Sequence, residues 1–150
     1  MKKSPFAALL LAVSSSAFAG VTVSNCQIRE PAPNVNRTAL FLTADFQVTD
    51  EVKAMRIPGD EAILSAEIPA LTDKTEIHQS KITDGVMSMH AVPRVVLNKN
   101  SQVEFKPGGL HIMLMDLKKR PVAGETYPVK FWLTYLDDVE CNATVVKVGA

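Results

Sequence analysis

The chain has 150 residues, with 16 basic and 16 acidic side chains and a formal net charge of zero at pH 7. No basic patch or run of basic residues stands out, so the composition argues against a nucleic-acid-binding function. The length suits one domain with an adequate hydrophobic core, and the sequence contains no internal repeats or low-complexity segments.

The first residues have the pattern of a secretory signal peptide. Lys2 and Lys3 form a basic start, an apolar run follows, and Ala17-Phe18-Ala19 is a small-residue cleavage motif. We therefore predict a signal peptide over residues 1–19, a single mature domain over residues 20–150, and export to the periplasm. The apolar run is shorter than the roughly 20 residues that cross a membrane, so we expect no membrane span. No cysteine follows the cleavage site directly, so we expect no lipid anchor there.

Short strands dominate the mature chain. Alternating or β-branched segments, separated by Pro, Gly, Asn and Asp, predict seven to nine strands within residues 21–28, 38–48, 62–68, 74–82, 85–92, 101–106, 110–119, 127–137 and 140–148. No segment has the period of an amphipathic helix, and the polar segment at 49–61 ends in a Pro-Gly-Asp turn. The pattern predicts an all-β fold, an antiparallel Greek-key β-sandwich or barrel.

Aromatic side chains on such strands usually belong to the core. We expect this of Phe41, Phe46, Phe105, Phe131, Trp132 and Tyr135. The same holds for Leu110, Ile112 and Leu114, which fill alternate positions of the segment GGLHIMLM.

The two cysteines, Cys26 and Cys141, lie in the first and last predicted strands. In an exported protein they are expected to be oxidised, and a disulfide would join the terminal strands. Closing so long a loop stabilises the fold by up to about 5 kcal/mol in the chain-entropy model. The alternative, a pair of thiolate metal ligands, lacks the support of a CxxC partner or an adjacent histidine.

Motifs of the common enzyme classes are absent from the sequence. It contains no G-x-S-x-G, no H-E-x-x-H and no glycine-rich phosphate- or dinucleotide-binding loop. Oxidised cysteines offer no nucleophile, and the carboxylates are scattered along the chain. We therefore expect a binding protein without catalytic residues.

Histidine and methionine are concentrated in two segments, GVMSMHAV and GGLHIMLM. Strand alternation places His111, Met113 and Met115 on one face, and His90 faces away from Met87 and Met89. Thioethers select Cu(I) and imidazoles also suit copper, whereas Zn(II), Mg(II) and Ca(II) prefer thiolate or oxygen ligands. The alternative is that the methionines fill the core and the histidines are ordinary polar residues. The glycine-rich break before the second segment favours a metal site, because it places the cluster at a strand end.

The segment from Glu76 to Lys119 resembles the family of periplasmic copper chaperones of the copper-A type, which are cupredoxin-like proteins linked to copper delivery to cytochrome c oxidase. The signature of that family is a histidine, ten residues, a methionine, 21 residues and then His-x-Met. Both gaps occur here between His78, Met89 and His111-Ile112-Met113. A weaker resemblance covers the whole mature chain, including residues 29–33.

The resemblance implies a cupredoxin-like fold with a shallow Cu(I) site. Its ligands would be His78, Met89, His111 and Met113. Met87 and Met115 would support these ligands or belong to the core, and His90 would lie on the surface. One departure is that Gln79 and Ser80 follow the first histidine, where many members carry a methionine.

In function, the resemblance implies a metallochaperone that hands Cu(I) to a copper-accepting protein, such as a terminal oxidase subunit or its assembly factor. One alternative is an electron-transfer cupredoxin, which would need a Cys thiolate among its copper ligands. Another is a periplasmic protein that sequesters copper for tolerance, and a third is an interaction module without metal.

Overall fold

The computed structural model describes residues 20–147, so the predicted signal peptide lies outside the described residues. In this part of the chain, no helix is long and apolar enough to cross a membrane. Ten strands and one short helix follow one another as β1 (Val21–Arg29), β2 (Thr38–Phe46), α1 (Asp50–Met55), β3 (Glu61–Glu67), β4 (Lys74–Thr83), β5 (Val86–Ala91), β6 (Val95–Leu97), β7 (Ser101–Phe105), β8 (Leu110–Met115), β9 (Thr126–Leu133) and β10 (Val139–Val146).

The strands form one hydrogen-bonded sheet in the order β5-β4-β8-β7-β2-β1-β10-β9-β3-β6, and β8 also pairs with β2. The sheet curls over on itself. The Thr75 hydroxyl on β4 donates a hydrogen bond of 2.7 Å to the Ala66 carbonyl on β3, although these strands are far apart in the sheet order. The all-β prediction is confirmed.

The predicted antiparallel arrangement holds for most neighbours but not for all. β1 runs parallel to β10, and β7 meets β8 in parallel at one register pair. A parallel pair needs a long connection between its strands, and between β1 and β10 that connection is nearly the whole described chain. The sequence of each strand is compatible with either direction, so the local pattern did not reveal this pair.

Cys26 on β1 and Cys141 on β10 form a disulfide, with their Cα atoms 6.6 Å apart. The bond joins the first and last strands, as predicted, and cross-links the parallel pair. Because these are the two cysteines of the sequence, neither is available as a thiolate ligand.

Alternation along the strands builds the core. On β8, Ile112 and Leu114 are fully buried, whereas the side chains between them face the other side of the sheet. Leu110 packs against the same core from its edge. Each large apolar side chain buried in this way contributes about 1.5–3 kcal/mol relative to exposure. Other fully buried side chains are Ile28, Leu40, Phe46, Ile63 and Phe131.

The aromatic residues divide between the core and the surface. Phe46, Phe105 and Phe131 are buried as predicted. Trp132 is 40% exposed, because alternation on β9 turns it outward when Phe131 turns in, and the Lys130 ammonium lies 4.8 Å from its ring centroid. The core prediction was therefore wrong for Trp132.

Two further aromatic predictions were wrong. Tyr135 is 43% exposed, since it lies past the end of β9, where strand alternation no longer directs it inward. Phe41 is only partly buried. It lies on the outer face of β2, because its neighbours Leu40 and Leu42 take the inward positions.

Helix α1 was not predicted. It is a short helix whose first turn is stabilised by Thr49, since the Thr49 hydroxyl accepts a hydrogen bond of 3.3 Å from the Val52 N–H. Asp50 and Glu51 occupy the first turn, where the helix dipole favours negative charge. These capping signals were present in the sequence, but only Val52 is buried, so no apolar stripe revealed the helix.

Strand β6 was also missed. Pro93 follows the segment that forms β5, and a proline usually ends a strand within a sheet. In the structure the chain crosses at this point from one edge of the sheet to the other, because β5 and β6 are its two edge strands. The segment that follows Pro93 then pairs with β3.

Glu61, at the start of β3, is a fully buried carboxylate. Its Oε1 accepts hydrogen bonds from the backbone N–H groups of Ala62 at 2.8 Å and Thr134 at 2.7 Å. Its Oε2 accepts from Tyr135 at 3.2 Å and Leu136 at 2.9 Å. The carboxylate thus provides acceptors for the backbone N–H groups of the turn after β9. Without it, these donors would be buried without a hydrogen-bond partner.

Candidate metal centre

The two motif histidines are direct neighbours across the β4–β8 pair. His78 on β4 is the register partner of His111 on β8, and their ring centroids lie 5.8 Å apart. Residues opposite each other in an antiparallel pair point to the same face of the sheet. The register of β4 with β8 therefore brings both imidazoles together on the face opposite Ile112 and Leu114.

The two motif methionines occupy the same face on either side of the histidines. Met113 follows His111 by two residues on β8, so alternation keeps its side chain on that face. Met89 on β5 is the register partner of Ser80, which lies two residues beyond His78 on β4. All four predicted ligands thus share one face of three adjacent strands.

A groove of about 510 Å³ runs along this face. Met89, His111 and Met113 line it, together with Met87 and Ser80. Met89 is 51% exposed, so the groove is open to solvent on the β5 side. A neighbouring groove of about 540 Å³ has no histidine or methionine in its lining. Of these two grooves, the first therefore combines space with soft donor groups.

One ring nitrogen of His111 is in hydrogen-bond contact with the backbone. Its Nδ1 lies 3.1 Å from the Gly109 carbonyl, so the glycine-rich turn before β8 orients the ring. Burial lowers the pKa of His111 below its ordinary value of 6.5, and the nearby His78 and Arg29 lower it further, against the opposing effect of the Gly109 hydrogen bond. The environment of His111 therefore favours the neutral imidazole, the form that binds metal ions.

His78 has a carboxylate partner. Its Nε2 lies 2.9 Å from Oε2 of Glu76, and this hydrogen bond lowers the pKa of Glu76. Its other ring nitrogen, Nδ1, is buried and has no hydrogen-bond partner within residues 20–147. Buried polar atoms in proteins nearly always have a hydrogen-bond partner, and leaving one without a partner costs free energy. A bound metal ion would serve as the partner of this nitrogen.

An aromatic ring and a cation lie beside His111. The Phe41 ring centroid lies 6.5 Å from that of His111, and Cζ of Arg29 lies 5.4 Å from the Phe41 centroid. Neither residue was predicted near the site, because the register of β2 with β8 cannot be read from one sequence. Glu76 was also missed, although its position two residues before His78 places both on one face of a strand.

The remaining candidate residues are placed as follows. Met87 is 59% exposed and lines the groove, so the alternative that it belongs to the core was wrong. Met115 is partly buried, and its register partner is Lys74. His90 is exposed and pairs with Gln79 on the opposite face from Met89, as predicted.

Within the described residues, no group of three or more His, Cys, Asp or Glu side chains could hold a metal ion. A site for Zn(II), Mg(II) or Ca(II) needs such a group. A metal site on this face would therefore depend on the thioethers of Met89 and Met113 as well as on the two imidazoles.

Solved structures with similar folds include a copper-bound PCuAC domain from PmoF2, with a TM-score of 0.67 and 15% identity over 87% of this chain and 96% of that one. The Cu(I) form of DR1885 from Deinococcus radiodurans has a TM-score of 0.60 and 19% identity, over 91% of this chain and 83% of that one. Its apo form has a TM-score of 0.59 and 21% identity, over 98% and 93% of the two chains. At these identities the likeness concerns the fold, and it confirms the cupredoxin-like β-fold predicted from the sequence.

No curated protein sequence matches the chain. The profile of the LpqE-like family, whose description names a lipoprotein, matches residues 21–145. The match spans all but the last residue of the ten strands. The chain therefore belongs to the LpqE-like family.

Proposed function

We propose that the protein is a periplasmic Cu(I) metallochaperone, a binding protein rather than an enzyme. The observation that carries this proposal is the shared face of β4, β5 and β8, which holds two imidazoles and two thioethers, with Met89, His111 and Met113 lining an open groove. The ligands would be His78, Met89, His111 and Met113. The sequence motif supports these four ligands, and the similar folds of a copper-bound PCuAC domain and of the Cu(I) form of DR1885 support copper as the ion.

The donor set suits Cu(I) in both softness and charge. Thioether sulfur is a soft ligand that selects Cu(I), and imidazole accepts copper as well. A thioether carries no charge and an imidazole binds a metal ion in its neutral form, which burial favours at His111 by lowering its pKa. The site therefore takes up a single positive charge without the repulsion that cationic ligands would add.

The position of the site suits transfer. Met89 lies on edge strand β5 and is half-exposed, so an incoming ligand of an acceptor protein could replace its thioether first. His111 is nearly buried, at 5% exposure, and would release the ion last. The acceptor would be a copper centre of a terminal oxidase or one of its assembly factors, as the resemblance implies.

An electron-transfer role is less compatible with the structure. A blue-copper centre needs a Cys thiolate beside two histidines. Cys26 and Cys141 are joined in a disulfide on β1 and β10, away from the β4–β8 pair. Sequestration of copper for tolerance would use the same ligands, and the handover of Cu(I) to an acceptor distinguishes the two roles.

Cu(I) titration of the mature protein in competition with a chromophoric chelator tests the proposal. We expect one Cu(I) per chain, and a dissociation constant raised at least about tenfold in Met89→Leu and in Met113→Leu, a factor that corresponds to 1.4 kcal/mol. Met55→Leu is the matched control, because Met55 is equally exposed but lies at the end of α1. Tight binding of one Cu(I) that is unchanged in both ligand variants would refute the proposed site.

A further inference from the structure

Glu76 determines which nitrogen of His78 carries a proton. A carboxylate has only acceptor atoms, so the 2.9 Å contact between Glu76 Oε2 and His78 Nε2 requires a proton on Nε2. In the neutral ring the lone pair then resides on Nδ1. This is the nitrogen that is buried without a partner among the described residues, where a second N–H would have no acceptor.

His111 has the opposite arrangement. Its Nδ1 faces the Gly109 carbonyl at 3.1 Å, and a carbonyl oxygen is also only an acceptor. The proton of the neutral His111 ring is thus on Nδ1, and the lone pair is on Nε2. The two facing imidazoles, with ring centroids 5.8 Å apart, therefore present different nitrogens as donors.

We propose that Glu76 is a positioning residue that fixes His78 in the Nε2–H tautomer, so that His78 binds Cu(I) through Nδ1 while His111 binds through Nε2. This inference rests on the proposed function for the identity of the ion. Metal-bound histidines commonly donate their other N–H to a carboxylate, which sets the ring orientation and raises the basicity of the ligand. The negative charge of Glu76 also balances the single charge that Cu(I) brings to a set of neutral ligands.

Glu76 is well placed for this role and poorly placed for a purely structural one. Its side chain is 41% exposed, whereas that of His78 is 16% exposed, so the contact reaches inward from the surface to the ring. Its register partner on β8 is Met113, another predicted ligand. Glu76 is therefore adjacent to two predicted ligands on the same face of the sheet, His78 along β4 and Met113 across on β8.

The first test uses the metal-free protein and does not depend on copper. Long-range ¹⁵N–¹H correlation spectra report which ring nitrogen of each histidine is protonated. We expect the Nε2–H tautomer for His78 and the Nδ1–H tautomer for His111. In Glu76→Ala, His78 should become a mixture of tautomers, and Glu76→Gln should retain the wild-type preference, because the Gln carbonyl can still accept from Nε2. An Nδ1–H tautomer of His78 in the wild type, or an unchanged tautomer in Glu76→Ala, would overturn the inference.

The second test measures the dissociation constant for Cu(I). Loss of an outer carboxylate partner typically weakens metal binding by about 10- to 100-fold, which we expect for Glu76→Ala, with a smaller loss for Glu76→Gln. Glu140→Ala on β10 is the control, since this exposed carboxylate is remote from β4. Unchanged affinity in Glu76→Ala would contradict the role of Glu76 but not the proposed function. Absence of Cu(I) binding by the wild type would contradict the proposed function, and the tautomer result would still hold.

Discussion

Glu61 and Glu76 are glutamates on strands of the same sheet, but their carboxylates have opposite surroundings. Glu61 is fully buried and accepts hydrogen bonds from the backbone N–H groups that follow β9. Glu76 is partly exposed and contacts one side chain, His78. The first carboxylate accepts hydrogen bonds from the backbone, and the second contacts a ring of the proposed metal site. The difference indicates that the fold and the site depend on separate polar groups, which substitutions can test one at a time.

Substitution of Glu61 should have the largest effect on stability. In Glu61→Ala several buried N–H groups lose their acceptor, and each such group costs about 1–3 kcal/mol, so we expect a loss of about 3–6 kcal/mol in the free energy of unfolding. Urea denaturation followed by circular dichroism measures this loss. Glu67→Ala is the control, because Glu67 lies on the same strand but is exposed. A loss below about 1 kcal/mol in Glu61→Ala would show that the turn after β9 does not depend on the carboxylate.

Removal of the disulfide should have the next largest effect. The double variant Cys26→Ser, Cys141→Ser is expected to lose about 2–5 kcal/mol in the free energy of unfolding. Its affinity for Cu(I) should match that of the wild type, because neither sulfur is a ligand in the proposed site. Cu(I) binding that is lost while circular dichroism still shows a folded protein would mean that the terminal strands contribute to the site.

The lowered pKa of His111 predicts a smaller, pH-dependent effect in the metal-free protein. Folding favours the neutral ring, so this contribution to stability is fully present above the ordinary pKa of 6.5 and is lost as pH falls below it toward the lowered folded pKa. Below 6.5 the unfolded chain binds the proton first, and the free energy of unfolding falls. His111→Gln should flatten this part of the curve, whereas His90→Gln, at an exposed position, should leave it unchanged. An equally steep fall in His111→Gln would assign the pH dependence to other groups.

Substitution of Glu76 should have the smallest effect on stability. Glu76 is partly exposed and makes one hydrogen bond, to the neutral His78 ring, and a typical hydrogen bond contributes about 0.5–1.5 kcal/mol, so Glu76→Ala should unfold at a urea concentration close to that of the wild type. The same variant is expected to bind Cu(I) more weakly. This result would sharpen the contrast with Glu61→Ala, which should bind Cu(I) normally wherever it remains folded. A large loss of stability in Glu76→Ala would remove the distinction between the two carboxylates.

Much of the site was predictable because strand alternation is a local property. The spacing of His111 and Met113 places both on one face of β8 without any knowledge of the neighbouring strands. Glu76 could have been identified by the same rule, since it lies two residues before His78. The resemblance to a known motif implied that His78 and His111 lie at one site. Their facing, however, depends on the register of β4 with β8, which neither the resemblance nor the local pattern supplied.

The parts of the fold that were missed depend on long-range pairing. The parallel direction of β1 and β10 is set by how the whole chain folds between them, and neither strand records it in its own sequence. The outward position of Phe41 follows from β2 presenting Leu40 and Leu42 to the core. Pro93 correctly indicates the end of β5. That the chain crosses there to the opposite edge of the sheet follows from the pairing of β6 with β3, which the local sequence does not show.

X-ray absorption spectroscopy of the Cu(I)-loaded protein tests the central claim most directly, because it distinguishes sulfur from nitrogen ligands at the metal. The proposed site predicts two sulfur and two nitrogen ligands, and Met113→Leu should lose one of the sulfurs while retaining both nitrogens. A wild-type spectrum with only nitrogen and oxygen ligands would contradict a site built from His78, Met89, His111 and Met113.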